Sequence, residues 1–315
     1  MTSHRLLLTG VVLAAALPLA ACGSSDPLGS TAGRSGPAAA PGATSPATGA
    51  GSTLTIGSAD FPESSLLGEV YAQALEAKGL TVKRTFNIGS REIYLKAVAS
   101  GEVDIMPEYT GSLTNYYNKS YTATAPDAVY AELQKSLPPE LTVLAKSAAE
   151  DKNSITVTKA TADAWKLKAI PDLVPYQDQV SLGAPPEFKT REQGLAGLKR
   201  VYNLVPKEFR PLKSQAAADA LKNGQVKAAN IFTTDPSIAA NGFVVLDDPK
   251  RLFGSDNVVP LLRKQVVDPT VTGALDAVSA KLDTPALAQL VKEVVVDHKD
   301  AKDVAKAWLA SVGLS

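Results

Sequence analysis

The body of the sequence alternates short β-prone runs with segments of helical periodicity, and this alternation constrains the fold most. A β-prone run at 54–56 precedes apolar residues that recur at the spacing of one buried helix face over 66–75. An alternating run at 81–86, a helical pattern closed by Gly101 and an apolar run at 103–106 follow. The order strand, helix, strand, helix, strand is typical of a mostly parallel sheet with helices on its faces. The sequence therefore predicts an α/β fold.

The same alternation continues toward the C-terminal end. Two helices are predicted in the tail, with starts at Thr284-Pro285 and at Asp300, and Trp308 falls on the apolar face of the second, where core packing is favoured. The other predicted strands are 141–144, 155–157, 226–231 and 243–246, and the other predicted helices are 191–202 and 215–222.

Composition excludes several classes of function. Lys+Arg and Asp+Glu both count 32, so the basic excess expected of a nucleic-acid-binding protein is missing. One cysteine, Cys22, and two histidines, His4 and His298, provide neither an intrachain disulfide nor a thiolate or two-histidine metal site. Nucleotide-binding, P-loop and nucleophile-elbow motifs are lacking after the N-terminal segment, so no metal or cofactor is expected.

Catalysis would have to rest on carboxylates, because His298 falls at the polar end of a predicted helix. Asp60 with Glu63, or Asp235 with Asp247 and Asp248, are candidate pairs for acid–base chemistry. Acidic loop residues are more often solvated surface, so we expect a protein that is not an enzyme. A secreted hydrolase or lyase that depends on carboxylates is the alternative.

The N-terminus has the features of a lipoprotein signal. Arg5 is followed by an apolar run over 6–21, which is short for a membrane span of about 20 residues and matches a secretory signal. The run ends in Leu-Ala-Ala-Cys, which resembles the bacterial lipobox, and the chain's single cysteine stands at the position that is acylated. We therefore expect residues 1–21 to be a signal peptide, Cys22 to carry lipid, and the protein to be anchored to the cell membrane on its extracytoplasmic face.

A tether is predicted between this anchor and the body. Of the 30 residues in 23–52, 27 are Gly, Ala, Ser, Thr or Pro, which bury too little apolar surface to offset the entropy of ordering. As a flexible coil, the segment would span roughly 30 Å. Residues 22–52 are thus predicted to be the acylated cysteine and a disordered tether.

Four loop segments place polar or aromatic side chains beyond predicted strands, where open α/β sheets bind ligands. The first two precede helical patterns, so free backbone N–H groups there favour an anionic or hydroxyl-rich partner. Taken alone, each is better explained as a turn with a helix cap. The segments are 58–64, 107–112, 232–236 and 253–260.

Together these segments resemble, in order and spacing, the substrate-binding proteins of osmoprotectant ABC transporters, the glycine betaine, carnitine and choline family. The most specific pieces are 101–104 leading into 107–111, then 191–195 and 232–236, and the resemblance covers residues 53–315. It implies a two-lobed, type II periplasmic-binding-protein-like fold, each lobe a mostly parallel sheet flanked by helices. Residues 53–152 and 258–315 would form one lobe and residues 153–257 the other.

The resemblance also implies a ligand site. Family members hold a quaternary ammonium in a cage of several tyrosines, whose ring faces attract a cation. Here Tyr109 matches one cage position and Phe232 another, but 151–155 lacks the aromatic expected there and Asp256 stands where a tyrosine is expected. We therefore predict a shift toward a polar or polyhydroxylated solute, with Arg191 the candidate for binding a carboxylate or another acceptor, or else a surface residue.

The expected function is that of an extracytoplasmic, monomeric binding protein that closes around a small solute and delivers it to an ABC permease and its ATPase. A sensory lipoprotein on the same fold is a further alternative. The side chains expected to contact the solute are Asp60, Phe61, Tyr109, Thr110, Ser112, Asn153, Arg191, Phe232, Thr233 and Asp256.

Overall fold

The computed structural model describes residues 53–315, which fold around two five-stranded sheets. The predicted signal peptide, Cys22 and the tether lie outside the described residues. Within 53–315 the strands are β1 (Leu54–Gly57), β2 (Val82–Thr85), β3 (Ile105–Tyr109), β4 (Leu141–Val143), β5 (Ile155–Thr158), β6 (Ser181–Ala184), β7 (Glu208–Pro211), β8 (Ala228–Asn230), β9 (Phe243–Val245) and β10 (Val258–Arg263). The α-helices there are α1 (Pro62–Glu76), α2 (Arg91–Ser100), α3 (Thr110–Tyr117), α4 (Pro126–Ser136), α5 (Lys159–Trp165), α6 (Leu195–Tyr202), α7 (Ser214–Lys222), α8 (Ser237–Asn241), α9 (Pro269–Lys281), α10 (Thr284–Val295) and α11 (Ala301–Ser311). Short 3₁₀ helices span Ile170–Gln179, Pro186–Lys189 and Lys264–Val266.

Each sheet is the centre of one lobe. The first has the order β2-β1-β3-β10-β4, with β1 parallel to β2 and β3 and with β10 antiparallel to β3 and β4. The second has the order β7-β6-β8-β5-β9, with β6 parallel to β7 and β8 and with β5 antiparallel to β8 and β9. Helices pack against both sheets. The predicted two-lobed α/β fold is confirmed, and each sheet is mixed because one returning strand in each runs against its neighbours.

The chain passes between the lobes twice. The first crossover is residues 144–154, between β4 and β5, and the second is residues 246–257, between β9 and β10. The crossovers lie side by side, since Glu150 and Asn257 form an antiparallel bridge. β10 then returns to the first sheet, and α9, α10 and α11 pack on α1. The lobe boundaries given above stay a prediction.

Trp308 lies in the core of the first lobe, as the sequence predicts. It is 8% exposed and packs with Val304 and Leu309 of the same helix in the core that also contains Leu66 and Val70 of α1. The buried face of α1 explains this arrangement, because its apolar residues are enclosed by the sheet on one side and by the C-terminal helices on the other.

Several predicted boundaries differ from the structure, most clearly at β3 and α6. β3 does not end at Met106 but continues to Tyr109, because β10 pairs with it from Ile105 through Tyr109. The helix predicted to start at Arg191 starts at Leu195, and residues before it form turns. Gly194 precedes the helix with a non-helical backbone, φ −139° and ψ −145°, and a Cβ there would come within 1.9 Å of the Phe188 carbonyl oxygen.

The tail contains three helices where two were predicted. The predicted starts are confirmed: α10 begins at Thr284, and the Asp300 side chain accepts the backbone N–H of Lys302 at the start of α11. The helix that the sequence analysis missed is α9, whose cap, Asp268, accepts two backbone N–H groups. An aspartate before each of these helices satisfies donors that would otherwise lack partners.

Candidate ligand-binding site

A cleft of about 910 Å³ lies between the lobes. Three helices of the first lobe, α1, α2 and α3, begin at its edge, since Pro62, Arg91 and Ser112 in their first turns all line it. The second lobe contributes residues of the 185–193 segment and, beyond β8, Phe232. The volume is within the range of small-molecule sites, and a solute held there would contact both lobes.

Three aromatic side chains, Phe61, Tyr109 and Phe232, form what we call the aromatic wall of the cleft. Phe61 immediately precedes α1, Tyr109 ends β3, and Phe232 follows β8. The Phe61 and Phe232 rings stack with centroids 5.6 Å apart, and the Phe61 and Tyr109 centroids are 6.3 Å apart. The stack therefore joins a ring of the first lobe to a ring of the second.

Two buried carboxyl groups, Glu63 and Asp151, lie beside the aromatic wall, and we call them the acid pair. Glu63, in the first turn of α1, is 4% exposed, and Asp151, in the first crossover, is 3% exposed and lines the cleft. Tyr109 donates its hydroxyl to Glu63 Oε1 at 2.5 Å, and Thr234 donates its hydroxyl to Oε2 at 2.6 Å. The first of these bonds ties the acid pair to the aromatic wall.

Thr234 connects the two members of the acid pair. Its backbone N–H donates to Asp151 Oδ1 at 3.1 Å, while its hydroxyl binds Glu63. Burial raises the pKa of both carboxyls, and the charge of Glu63 raises the pKa of Asp151 further. Among residues 53–315, no lysine, arginine or histidine forms an ion pair with either group. The acid pair is thus a buried negative site without a protein cation.

A second buried carboxylate, Glu108 of β3, has the opposite surroundings. Arg91 donates to it through two parallel hydrogen bonds of 2.9 Å each. The Tyr94 hydroxyl and the backbone N–H of Tyr109 donate to it as well, at 2.7 and 2.9 Å. Arg91 and Tyr94 line the cleft, but the charge of the Arg91 guanidinium is neutralised within the first lobe.

Asp256 of the second crossover lines the cleft with its oxygens bound to Ser112. The Ser112 N–H donates to Oδ1 at 2.9 Å and its hydroxyl to Oδ2 at 2.5 Å, and that hydroxyl also lies 3.1 Å from Gln193 Oε1 of the second lobe. Gly111 permits this approach, because a Cβ there would come within 2.3 Å of the Ser255 carbonyl oxygen. Burial raises the pKa of Asp256 to about 7, against the lowering effect of the Ser112 hydrogen bonds.

Two ion pairs connect the lobes at the rim of the cleft. Arg191 binds Glu92 at the start of α2 through hydrogen bonds of 3.0 and 2.9 Å. Lys213 binds Asp60 at 2.5 Å. Burial acts to raise the pKa of Glu92, but hydrogen bonds from Arg191 and Ser90 outweigh it and lower the pKa to about 2. Arg191 therefore already has a carboxylate partner from the protein.

Most of the residues predicted to contact the solute lie at the cleft, and two do not. The Thr110 hydroxyl is fully buried in the first lobe and accepts the backbone N–H of Asn257. The Thr233 hydroxyl accepts the backbone N–H of Lys152 and so holds the first crossover. Those that line the cleft are Asp60, Phe61, Tyr109, Ser112, Asn153, Arg191, Phe232 and Asp256.

The carboxylates considered for acid–base chemistry have other partners. Asp60 binds Lys213, and Glu63 lies with Asp151 instead of Asp60. Asp248 accepts the backbone N–H groups of Leu252 and Phe253 and so holds a turn.

The sequence analysis missed several residues that line the cleft. The sequence marked Asp151 only as the place where the resembled family has an aromatic, and it marked Gln193 only as part of a matching segment. Arg91, Tyr94 and Asn230 also line the cleft, and no pattern in the sequence pointed to them.

Comparison with known proteins identifies the family. Residues 52–311 match the OpuAC family, described as the substrate-binding domain of an ABC-type glycine betaine transport system. The chain belongs to this family. It is 30% identical over 281 residues to the glycine betaine-binding protein YehZ of Escherichia coli (strain K12), an alignment that covers 84% of this chain and 92% of YehZ.

The chain is also similar to a second curated protein and to a solved structure. Over 266 residues the chain is 24% identical to EgtU of Helicobacter pylori (strain G27), an ergothioneine transport permease/ergothioneine binding protein, covering 83% of this chain and 48% of EgtU. A solved structure of a glycine betaine/carnitine/choline ABC transporter has a TM-score of 0.67 at 21% identity, covering 83% of this chain and 99% of that one. The osmoprotectant family and the type II fold predicted from the sequence are confirmed. None of the helices formed by residues 53–315 has the length and apolar character that crossing a bilayer requires.

Proposed function

We propose that this protein captures a small solute bearing a methylated ammonium group and presents it to an ABC permease. The aromatic wall is the observation that carries this proposal. Ring faces attract a cation that cannot donate a hydrogen bond, and here Phe61, Tyr109 and Phe232 supply three of them at one place. A solute that contacts both lobes lowers the free energy of the closed form relative to the open form. No chemical step is required.

The charges of the cleft favour the same class of solute. Arg91, Arg191 and Lys213 line the cleft, and each is paired with a protein carboxylate, whereas Lys119, which also lines it, is exposed to solvent. The acid pair, by contrast, has no cation from the described residues. The buried charge that the described residues leave uncompensated is therefore negative, and it lies next to the ring of Tyr109.

Neutral amides of the second lobe are available for the rest of the solute. Asn153 and Asn230 line the cleft, with Asn230 Nδ2 donating to Asn153 Oδ1 at 3.1 Å, and Gln193 lies nearby on the same lobe. Amides both donate and accept hydrogen bonds, so they suit a hydroxyl or carboxylate end.

A neutral polyhydroxylated solute is the second candidate. It is favoured by Ser112, Gln193 and Asp256, which form a hydrogen-bonded polar surface away from the aromatic wall. The shift toward a polar or polyhydroxylated solute, which we inferred from the sequence, stays a prediction.

The setting of the proposed function follows from the family and the N-terminal sequence. We propose an extracytoplasmic, monomeric protein held to the membrane by a lipid on Cys22, with an ABC permease and its ATPase as partners. Glycine betaine-binding and carnitine transport binding proteins among the relatives support the transport role. Mass spectrometry of the protein isolated from its own membrane tests the anchor through the mass of the acylated cysteine.

Isothermal titration calorimetry tests the solute class. Glycine betaine, choline and carnitine are compared with a panel of sugars and polyols, and we expect binding of at least one ammonium solute. Replacing Phe232 by Ala removes one ring, which is worth about 0.5 to 2 kcal/mol and corresponds to roughly 2- to 30-fold weaker binding.

Tyr176→Ala is the matched control for that substitution. Tyr176 stacks on Trp165 with centroids 4.6 Å apart and does not line the cleft. Its removal leaves the affinity for an ammonium solute unchanged. Binding of polyols without any ammonium solute would replace the first candidate by the second, and conversion of a bound compound would contradict both.

A further inference from the structure

The acid pair is buried beside the aromatic wall without a cation from the described residues, and the proposed function alone does not explain this. Glu63 and Asp151 are neighbours at the junction of the two lobes, since Thr234 of the second lobe donates a hydrogen bond to each of them. Both are at least nine-tenths buried, and Asp151 lines the cleft. Two buried carboxylates cannot both ionise at low cost without a cation, and burial raises the pKa of each, so the site favours one proton held by the pair.

The groups that face the pair provide no cation. From β3 comes the neutral Tyr109 hydroxyl, and beyond β8 come the Thr233 and Thr234 hydroxyls and the carboxylate of Asp235, which adds negative charge. From α7 and α10 come Gln215, Val291 and Val295, which carry no charge. Lys152, the chain neighbour of Asp151, pairs with Glu150 at 3.4 Å. Residues 53–315 therefore supply no positive charge to the pair, and a cationic solute in the cleft would bring one.

The aromatic wall places such a charge beside the pair. Tyr109 contributes its ring to the wall and its hydroxyl to Glu63, so one side chain spans the distance between the proposed cation position and the carboxyl. A cation at the wall favours ionisation of carboxyls nearby, and an ionised Glu63 in turn strengthens the attraction of the Tyr109 ring for the cation.

We propose that the acid pair is the counter-charge of the solute and releases its shared proton to the solvent when a cationic solute binds. This inference rests on the proposed function, because it requires a cation at the aromatic wall. The O–H bond of the protonated carboxyl breaks, the electron pair stays on the carboxyl oxygen, and the proton passes to water or buffer. The pair thereby changes from one negative charge to two as the solute brings one positive charge.

Calorimetry with choline tests the release directly, because the only charge of choline is positive. Titrations in two buffers with different enthalpies of ionisation, at one pH, separate the proton released from the heat of binding. We expect up to about one proton released per choline bound, and affinity that rises by up to about tenfold per pH unit while the pair is protonated. The scan starts at about pH 5 and runs upward, because burial raises the pKa of both carboxyls above the ordinary range of a carboxyl.

A double variant of the pair sharpens the test. Glu63→Gln/Asp151→Asn replaces both carboxyls by neutral amides, so the pair has no proton to release and no negative charge to offer. We expect choline to bind this variant more weakly than the wild type, with no proton release and with an affinity that does not change with pH. Glu76→Gln, on the same helix but paired with Arg84 at the surface, is the matched control and releases the proton as the wild type does. Circular dichroism of each variant verifies folding.

The neutral carbon isostere of choline, with carbon in place of nitrogen, separates charge from shape. We expect it to release no proton from the wild type. Choline binding that is identical in both buffers, or equal release with choline and its isostere, overturns the inference while leaving the proposed function standing. If neither choline nor glycine betaine binds at any pH, the proposed function fails and the inference fails with it.

Discussion

Glu108 and Glu63 are both buried carboxylates of the first lobe, yet the protein treats their charges in opposite ways. Glu108 is enclosed by Arg91, Tyr94 and a backbone N–H, which satisfy both of its oxygens. Glu63 accepts two neutral hydroxyls and lies with a second carboxyl, Asp151. The charge of Glu108 is matched inside the lobe, whereas Glu63, beside the cleft-lining Asp151, has no cation from the described residues.

The difference distinguishes a buried charge that holds the fold together from a buried charge that is available to a ligand. A charge whose partner is built into the fold stabilises only if the pair stays intact, because either member alone is a buried charge. A charge without a built-in partner lowers stability in the free protein and becomes favourable when a ligand brings the opposite charge. The following predictions test this contrast.

The largest effect is expected from breaking the matched pair. Glu108→Ala leaves the Arg91 guanidinium buried and unpaired, and we expect the free energy of unfolding to fall by about 3 to 5 kcal/mol. Urea denaturation measures it. Glu76→Ala, which breaks an exposed pair with Arg84, is the control, with an expected loss of at most about 1 kcal/mol. Equal losses in the two variants would remove the distinction between the pairs.

An effect of similar total size, but spread over a range of pH, is expected at Asp256, a buried carboxyl that forms no ion pair with another described residue. Its pKa rises from 3.8 to about 7 on folding, so the folded state binds the proton more tightly than the unfolded state. This contribution to stability is present at low pH and is lost as pH rises from about 4 to about 7, at roughly 1.4 kcal/mol per pH unit. Asp256→Asn removes the contribution.

Urea denaturation of the wild type and Asp256→Asn at several pH values tests that sign. The stability of the wild type relative to the variant must decrease as pH rises through this range. Curves that run parallel, or a wild type that gains relative stability with rising pH, would show that the carboxyl is not held protonated by burial.

The smallest effect is expected at the rim. Glu92→Gln breaks the pair with Arg191 that joins the lobes, and since both side chains are partly exposed, the loss is at most about 1 kcal/mol, or roughly fivefold in solute affinity. The solute affinity of the variant also becomes less sensitive to salt. Salt screens the attraction between Glu92 and Arg191 in the wild type, and the variant lacks that attraction. Titrations at low and high salt measure both changes. If the variant matches the wild type in solute affinity and in salt dependence, this pair does not favour closure.

Sequence reasoning reached the fold and part of the cleft because those features are local. Helix faces, capping aspartates and aromatic residues placed after strands are visible as patterns, and Phe61, Tyr109 and Phe232 all lie in segments that were singled out. Tyr109 itself was expected in a loop. It lies in β3 because β10, from more than a hundred residues later, supplies the partner strand.

The acid pair and the ion pairs depend on contacts that no local pattern records. Glu63 and Asp151 are brought together only when the first crossover passes the start of α1, and Arg191 meets Glu92 only when the lobes face each other. Arg191 was predicted as a solute ligand or a surface residue, and its bond to Glu92 shows a third arrangement, in which it joins the lobes.

A crystal structure with bound solute tests the central claim most directly, using the member of the calorimetric panel that binds most tightly. We predict an ammonium group within about 6 Å of the ring centroids of Phe61, Tyr109 and Phe232, on the side of the cleft that holds the acid pair. An ammonium group placed elsewhere, or a neutral solute bound by Ser112, Gln193 and Asp256 away from the rings, would contradict the account.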